Sequence, residues 1–229
     1  KEDIAQVGDI TTLATISKDQ TGHAHFLVKE ACVIAGVEMV NKIAQIVDAE
    51  LQVQFSVQDG DTIVQNQMIG QVEGRIHSIL LAERLMLNCM QRMSGIATKV
   101  HHLKKMIAAY PAKILDTRKT TPNFRIAEKW AVRIGGGINH RFGLYDMILI
   151  KDNHIKAAGG VSLALEATRQ YCAAEKVHLP VVVEVKNQAE LKELKTQELP
   201  DDIKWITHEA VSESDQLELL RAYKSGDKE

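Results

Sequence analysis

The sequence predicts an α/β protein in two parts, on three observations. Up to about residue 75 the chain reads as short strands broken by glycines. One long amphipathic helix follows. After Pro111, short continuous apolar strands alternate with helices, the pattern of a parallel sheet buried on both faces.

In chain order, residues 23–29 alternate loosely between polar and apolar, and Val33-Ile34-Ala35-Gly36-Val37 follows. A helix is predicted near Val37–Val47. Residues 64–72 read as a further strand, preceded by the Asp59-Gly60 turn signal. The long helix is expected from about 78 to 110. Leu85, Cys89, Met93, Ile96, Val100 and Leu103 recur there at spacings of three and four, and Pro111 ends the run. Ile114-Leu115 reads as a short strand. A helix is expected from Pro122, with Thr121 as its N-cap and Ala127, Trp130, Ala131 and Ile134 as its buried stripe. Gly135-Gly136-Gly137 either stops that helix or lets Asn139-His140-Arg141 lie close to a ligand. A strand at 147–150, a helix at 162–174 and a strand at 181–183 complete the pattern. From Lys192 onward the chain is rich in Lys and Glu and reads as surface.

Composition narrows the class. Of 229 residues, 45% are apolar and 25% charged, as in ordinary globular proteins. The net charge of −2 gives no general attraction to nucleic acid or to a membrane surface, so an anion site has to be a local gathering of basic residues. Cys32, Cys89 and Cys172 are odd in number and form no Cys-x-x-Cys pair. That argues against a disulfide framework or zinc site and for a reducing compartment, the cytoplasm. No apolar run reaches the roughly 18–20 residues that span a bilayer, and no signal-peptide pattern is read.

The chemistry gathers behind the apolar strands. Ile114-Leu115 runs into Asp116-Thr-Arg118-Lys119, residues 147–150 run into Lys151-Asp152-Asn153-His154, and residues 181–183 run into Glu184-Val185-Lys186. Parallel α/β folds bind ligands at the carboxyl ends of their strands, so these three ends are expected to converge on one site. Arg118, Lys119, His140, Arg141, Lys151 and His154 suit a guest with several negative charges. Asp116, Asp152 and Glu184 are candidates to hold a divalent cation or to orient the cationic side chains.

These residues fall in longer motifs. Asp116-Thr-Arg-Lys-Thr-Thr-Pro122 resembles a signature of the quinolinate phosphoribosyltransferase family. So do the run from Glu128-Lys129 through Gly135-Gly-Gly137 and Asn139-His-Arg-Phe-Gly-Leu-Tyr-Asp146, and the run Leu149-Ile-Lys-Asp-Asn-His154. Ala82-Glu-Arg-Leu85 with Ser94-Gly-Ile-Ala-Thr98 resembles the family's long-helix motif, and Gly8-Asp-Ile-Thr-Thr12 its N-terminal motif.

The resemblance implies an N-terminal α/β sandwich over 1–107 and an incomplete parallel α/β barrel over 108–229. It implies a transferase of NAD biosynthesis that makes nicotinate mononucleotide, pyrophosphate and CO₂ from quinolinate and phosphoribosyl pyrophosphate, with Mg²⁺. Arg118, His140, Arg141 and Lys151 would hold quinolinate, with Lys151 also in the chemistry. Lys119 would face phosphoribosyl pyrophosphate, and Glu184 the metal and ribose. Arg84 would reach into the site of a second copy, making a homodimer or a higher oligomer. Neither nucleic acid nor membrane is an expected partner. The family's Leu-Asp-Asn motif is not matched after Glu184; His208-Glu209 stand in its place, and the chain diverges from about residue 192. Two alternatives therefore stay open: a catalytically impaired relative that still binds quinolinate, and a paralogue acting on another aromatic acid.

Overall fold

The computed structural model describes residues 2–196 and the backbone of 203–207. The chain divides into two compact units, Lys1–His140 and Arg141–Glu229.

The first unit begins with α1 (Ile10–Thr15), capped by Asp9, whose carboxylate accepts the Thr11 and Thr12 N–H groups. Strands β1 (Thr21–Leu27), β3 (Gln52–Phe55) and β5 (Met68–Arg75) form an antiparallel sheet with β5 in the centre. Strands β2 (Cys32–Val33) and β4 (Thr62–Ile63) pair separately. Helix α2 has the expected bounds, Val37–Val47. Gly36 enters it at φ 110°, and an added Cβ there would stand 3.3 Å from the Met90 Cα, so glycine suits both the conformation and the space. The missing side-chain cap is supplied from a distance. The Asp59 carboxylate accepts the Gly36 and Val37 N–H groups at 2.7 and 2.9 Å.

Three local expectations are corrected here. The apolar stretch 64–72 is not one strand, because Asn66 adopts φ 64° and turns the chain between β4 and β5. The long helix α3 spans Ile76–Met106 and stops short of Pro111, because Ile107 leaves helical geometry and Tyr110 closes a turn on it. Its buried face includes Ala82, Met86, Cys89, Met90, Met93, Ala97 and Val100, whereas Leu85 is 48% exposed. Met86, one residue on, turns in with Ala82 and Met90 and joins the core that β5 and α2 build.

Helix α4 (Arg125–Ile134) starts later than Pro122. Asn123 takes φ 61° and Phe124 N–H donates to the Thr121 carbonyl, so Thr121 opens a turn instead of capping a helix. Ala127 and Ala131 are buried as expected, Trp130 and Ile134 only partly. The glycine run answers to α3. A Cβ at Gly135 would stand 2.5 Å from the Ala97 carbonyl oxygen, and one at Gly137 3.0 Å from the Val100 Cγ1. The absent side chains let this turn lie against α3. Leu115 forms an isolated parallel bridge with Ile138 and not a longer strand.

The second unit is parallel α/β, as the pattern predicts. Strands β6 (Ile148–Ile150), β7 (Val181–Val185) and β8 (Ile203–Thr207) lie side by side in that order, all parallel. Among the described residues this sheet has three strands and does not close. Val181, Val182, Val183 and Val185 are all buried. At roughly 1.5–3 kcal/mol per fully buried aliphatic side chain, β7 anchors the unit. Helix α6 (Val161–Glu175) matches its expected position. The sequence pattern does not predict α5 (Asp152–Ala158) or α7 (Gln188–Lys195) in this unit. Helix α7 buries Leu191 and Leu194, so the surface expected from Lys192 begins with an inward-facing Leu194. His208, Glu209 and the question of barrel closure lie outside the described residues.

Candidate functional site

In the first unit the site starts from the Leu115–Ile138 bridge. Ile138 N–H donates to the Ile114 carbonyl at 2.8 Å, and Asp116 N–H to the Ile138 carbonyl at 3.2 Å. Because the bridge is parallel, the segment leading to Arg118 and Lys119 and the segment leading to His140 leave the same end.

A buried charge pair braces that end. The Lys129 ammonium donates to Asp116 Oδ1 at 2.5 Å and to the His140 carbonyl at 3.1 Å. Asp116 Oδ1 also accepts the His140 N–H at 2.9 Å. With its amide oriented to suit its neighbours, Asn139 donates to Asp116 Oδ2 at 2.8 Å and to the Lys129 carbonyl at 2.9 Å. The Lys129 and Asp116 side chains are 2% and 7% exposed. A buried pair with its remaining hydrogen bonds filled is tolerable, whereas either charge alone would not be. Asp116 is thus engaged as a brace, in line with the second of the two roles expected of it, orienting a cationic side chain.

The 116–121 loop is held at its far end too. Glu128 Oε2 accepts the Thr121 N–H at 3.1 Å, while Arg92 donates to Glu128 Oε1 at 2.6 Å and to the Thr121 hydroxyl. Burial pushes the Glu128 carboxyl up, but hydrogen bonds from Arg92 and Thr121 outweigh it and hold the group below the usual glutamate value. Between these anchors Arg118 is half-buried, its Nε shielded from water with no hydrogen-bond partner among the described residues, and Lys119 is exposed. Arg84 is exposed on α3.

In the second unit, Lys151 follows β6 and caps α5, and Glu184 lies in β7. Their Nζ and Oε2 are 3.5 Å apart. Lys186 pairs with Asp152 at 2.9 Å, so a second of the candidate cation ligands is already paired with a cation. His154 is turned back on its own helix start, with Nδ1 accepting the Lys151 N–H at 2.9 Å. Arg141 Nη1 makes a long contact of 3.5 Å to the Met147 carbonyl. Asp146 accepts the Phe142 and Gly143 N–H groups at 2.6 and 2.8 Å, shaping the loop that carries Arg141.

Each unit therefore presents part of the expected set: Arg118, Lys119 and His140 in the first, Arg141, Lys151 and Glu184 in the second. Sequence reasoning missed Arg92, Glu128 and Lys129 as supports. A signal was present, because Glu128 stands four residues after Phe124 and three before Ala131, on the inward stripe of α4. Among the described residues, no three His, Cys, Asp or Glu side chains gather closely enough to cage a metal ion. Glu184, partly buried and 3.5 Å from the Lys151 ammonium, offers a single carboxylate, which suits a divalent cation that brings most of its oxygen ligands with it.

Fold and site together define a two-unit α/β protein with basic residues at its parallel strand ends. Residues 9–94 match the model of the quinolinate phosphoribosyl transferase N-terminal domain, and residues 96–216 that of its C-terminal domain. The chain belongs to the quinolinate phosphoribosyltransferase family. It is 49% identical over 193 residues to quinolinate phosphoribosyltransferase [decarboxylating] 1b of Nicotiana tabacum, covering 84% of this chain and 55% of that protein. It is 47% identical over 195 residues to the chloroplastic nicotinate-nucleotide pyrophosphorylase [carboxylating] of Arabidopsis thaliana, with the same coverage. The chain thus spans about half the length of these curated relatives. Among solved structures it is similar to NadC from Streptococcus pyogenes, with a TM-score of 0.86 and 33% identity over 98% of this chain and 77% of that one. Nicotinate-nucleotide pyrophosphorylase from Ehrlichia chaffeensis is similar at a TM-score of 0.88 and 27% identity, over 99% of this chain and 79% of that one.

Proposed function

We propose that the protein transfers a phosphoribosyl group to quinolinate and decarboxylates the product. The observation that carries this reading is the Leu115–Ile138 bridge, which sends Arg118-Lys119 and His140 out from one braced end. That places cationic and hydrogen-bonding groups together in a chain of near-neutral net charge, where a dicarboxylate is a fitting guest.

In the reaction, the ring nitrogen of quinolinate bonds to C1 of phosphoribosyl pyrophosphate as the bond from C1 to the pyrophosphate oxygen breaks. The ring becomes a pyridinium. The bond from the ring to its 2-carboxylate then breaks, CO₂ leaves, and the electron pair stays on the ring carbon beside the cationic nitrogen. A proton from solvent takes up that pair, giving nicotinate mononucleotide. Both substrates are polyanions, so the protein's task is positioning and charge neutralisation. Each unit brings groups suited to the carboxylates, Arg118 and His140 in the first and Arg141 and Lys151 in the second, and Lys119 serves the phosphoribosyl side. Glu184 would hold Mg²⁺ carried in on the pyrophosphate, where the ion neutralises charge on the leaving group.

The active form in this reading is a homodimer in which Arg84 completes the site of a second copy. Exposed Leu80, Leu81 and Leu85 beside it on α3 supply apolar surface for a partner copy to cover. No helix among the described residues is long and apolar enough to cross a membrane. The free thiols of Cys32, Cys89 and Cys172 favour a reducing setting such as the cytoplasm. The test is quinolinate-dependent release of pyrophosphate from phosphoribosyl pyrophosphate with Mg²⁺, with nicotinate as the comparison acceptor. Release with quinolinate and not with nicotinate is expected. A folded protein that releases none overturns the reading.

A further inference from the structure

Helix α4 carries two adjacent buried charges of opposite sign, Glu128 at 7% and Lys129 at 2% exposure. Charged side chains are seldom buried so fully unless they are paired. Each of these holds a different end of one loop. Lys129 grips Asp116 at the start, and Glu128 grips the Thr121 N–H at the finish, with Arg92 of α3 closing the second contact. Arg118 and Lys119 lie between the two grips. Consecutive residues of a helix point about 100° apart, so the two side chains leave α4 in different directions and keep the loop ends apart. The first grip reaches further. The Lys129 ammonium takes the His140 carbonyl and Asp116 takes the His140 N–H, which fixes that residue's backbone from both sides.

We propose that the adjacent Glu128 and Lys129 on α4 are positioning residues. Together, through Asp116, Thr121 and Arg92, they set where Arg118 and His140 meet the dicarboxylate and where Lys119 stands for the phosphoribosyl side. The inference rests on the quinolinate reading above and deepens it. Neither residue touches the substrate. They act by ordering the loop before the ligand arrives, so that binding does not bear that entropy cost.

A purely structural role predicts something different. A buried ion pair replaced as a whole by neutral groups of similar size often leaves stability unchanged. The test is therefore the double variant Asp116→Asn with Lys129→Met. It removes both charges together yet leaves an acceptor for the His140 N–H. Thermal melting and calorimetric titration with quinolinate are measured on the same preparations. Positioning predicts a melting temperature near wild type and a quinolinate dissociation constant raised at least about tenfold. An unchanged constant in the folded variant overturns the proposal. If the double variant does not fold, Arg92→Met decides, because Arg92 is half-exposed and supports only the Thr121 end, which its loss loosens. It is expected to weaken quinolinate about three- to tenfold, with partial recovery in Arg92→Lys. Wild-type affinity in a folded Arg92→Met overturns the proposal. A wild-type protein that binds no quinolinate removes the functional reading itself and this inference with it, a result that the variants cannot mimic.

Discussion

Lys151 reaches Glu184 across two neighbouring parallel strands, with 3.5 Å between Nζ and Oε2. Register explains the meeting. Ile150 pairs with Val183, so the next residue on each chain stands alongside the other. The Lys151 side chain is 44% exposed, and pairs this open to water contribute at most about 1 kcal/mol to stability. The pair therefore matters more for the position of its charges than for the fold.

Replacing Lys151 with Met should accordingly separate the two effects. The melting temperature is expected to stay within a few degrees of wild type, while turnover of quinolinate falls at least about 100-fold, as for loss of a group that stabilises developing charge. Melting and steady-state kinetics on one preparation check this. A large drop in melting temperature with activity kept would show the pair to be structural.

Arg118→Ala is expected to weaken quinolinate binding by about 2–5 kcal/mol, the usual cost of leaving a bound carboxylate without its buried partner. Calorimetry measures it directly. A change below about half a kcal/mol would remove Arg118 from the binding set.

Acid should loosen the brace at Thr121. The folded-state value of the Glu128 carboxyl lies below its unfolded value. A group depressed in this way contributes stability that is present above the unfolded value and lost as pH falls through the folded one. Denaturant midpoints taken from neutral pH down through the carboxylate range should therefore fall more steeply in wild type than in Glu128→Gln. Parallel curves would contradict the assignment.

Gly135→Ala tests the close approach to α3. The new methyl would stand 2.5 Å from the Ala97 carbonyl oxygen, on backbone that cannot swing aside. Overpacking of this kind costs about 1–3 kcal/mol. A lower melting temperature is expected, whereas Gly95→Ala, with open space around it, should cost nothing or gain slightly.

Much of this is legible in the sequence alone. Helix α2 was readable from its own periodicity, and β6, β7 and α6 because continuous apolar runs between helical stretches have few other solutions. The basic residues stood out because each group follows such a run. What escaped has physical reasons. Helices α1 and α5 are too short to establish a period. The Thr-Pro start of α4 was overridden by Asn123, a residue that tolerates positive φ and turns the chain first. Glu128 falls in line with the inward stripe of α4, but Lys129 does not, and local pattern does not reveal the partners Asp116, Thr121 and Arg92 that make their burial possible. Leu85 and Met86 are equally apolar, and only the shape of the core chooses between them.

The order of the parallel strands has a consequence for how the protein is made. Strands β6, β7 and β8 neighbour one another in the sequence in which a ribosome delivers them. At roughly 5–20 residues per second, synthesis gives β6 and β7 a head start of seconds over β8. Lys151 directly follows the first of them and Glu184 lies in the second. A nascent chain can thus assemble that pair while the third strand is still inside the exit tunnel, and each newcomer docks on a surface already waiting for it.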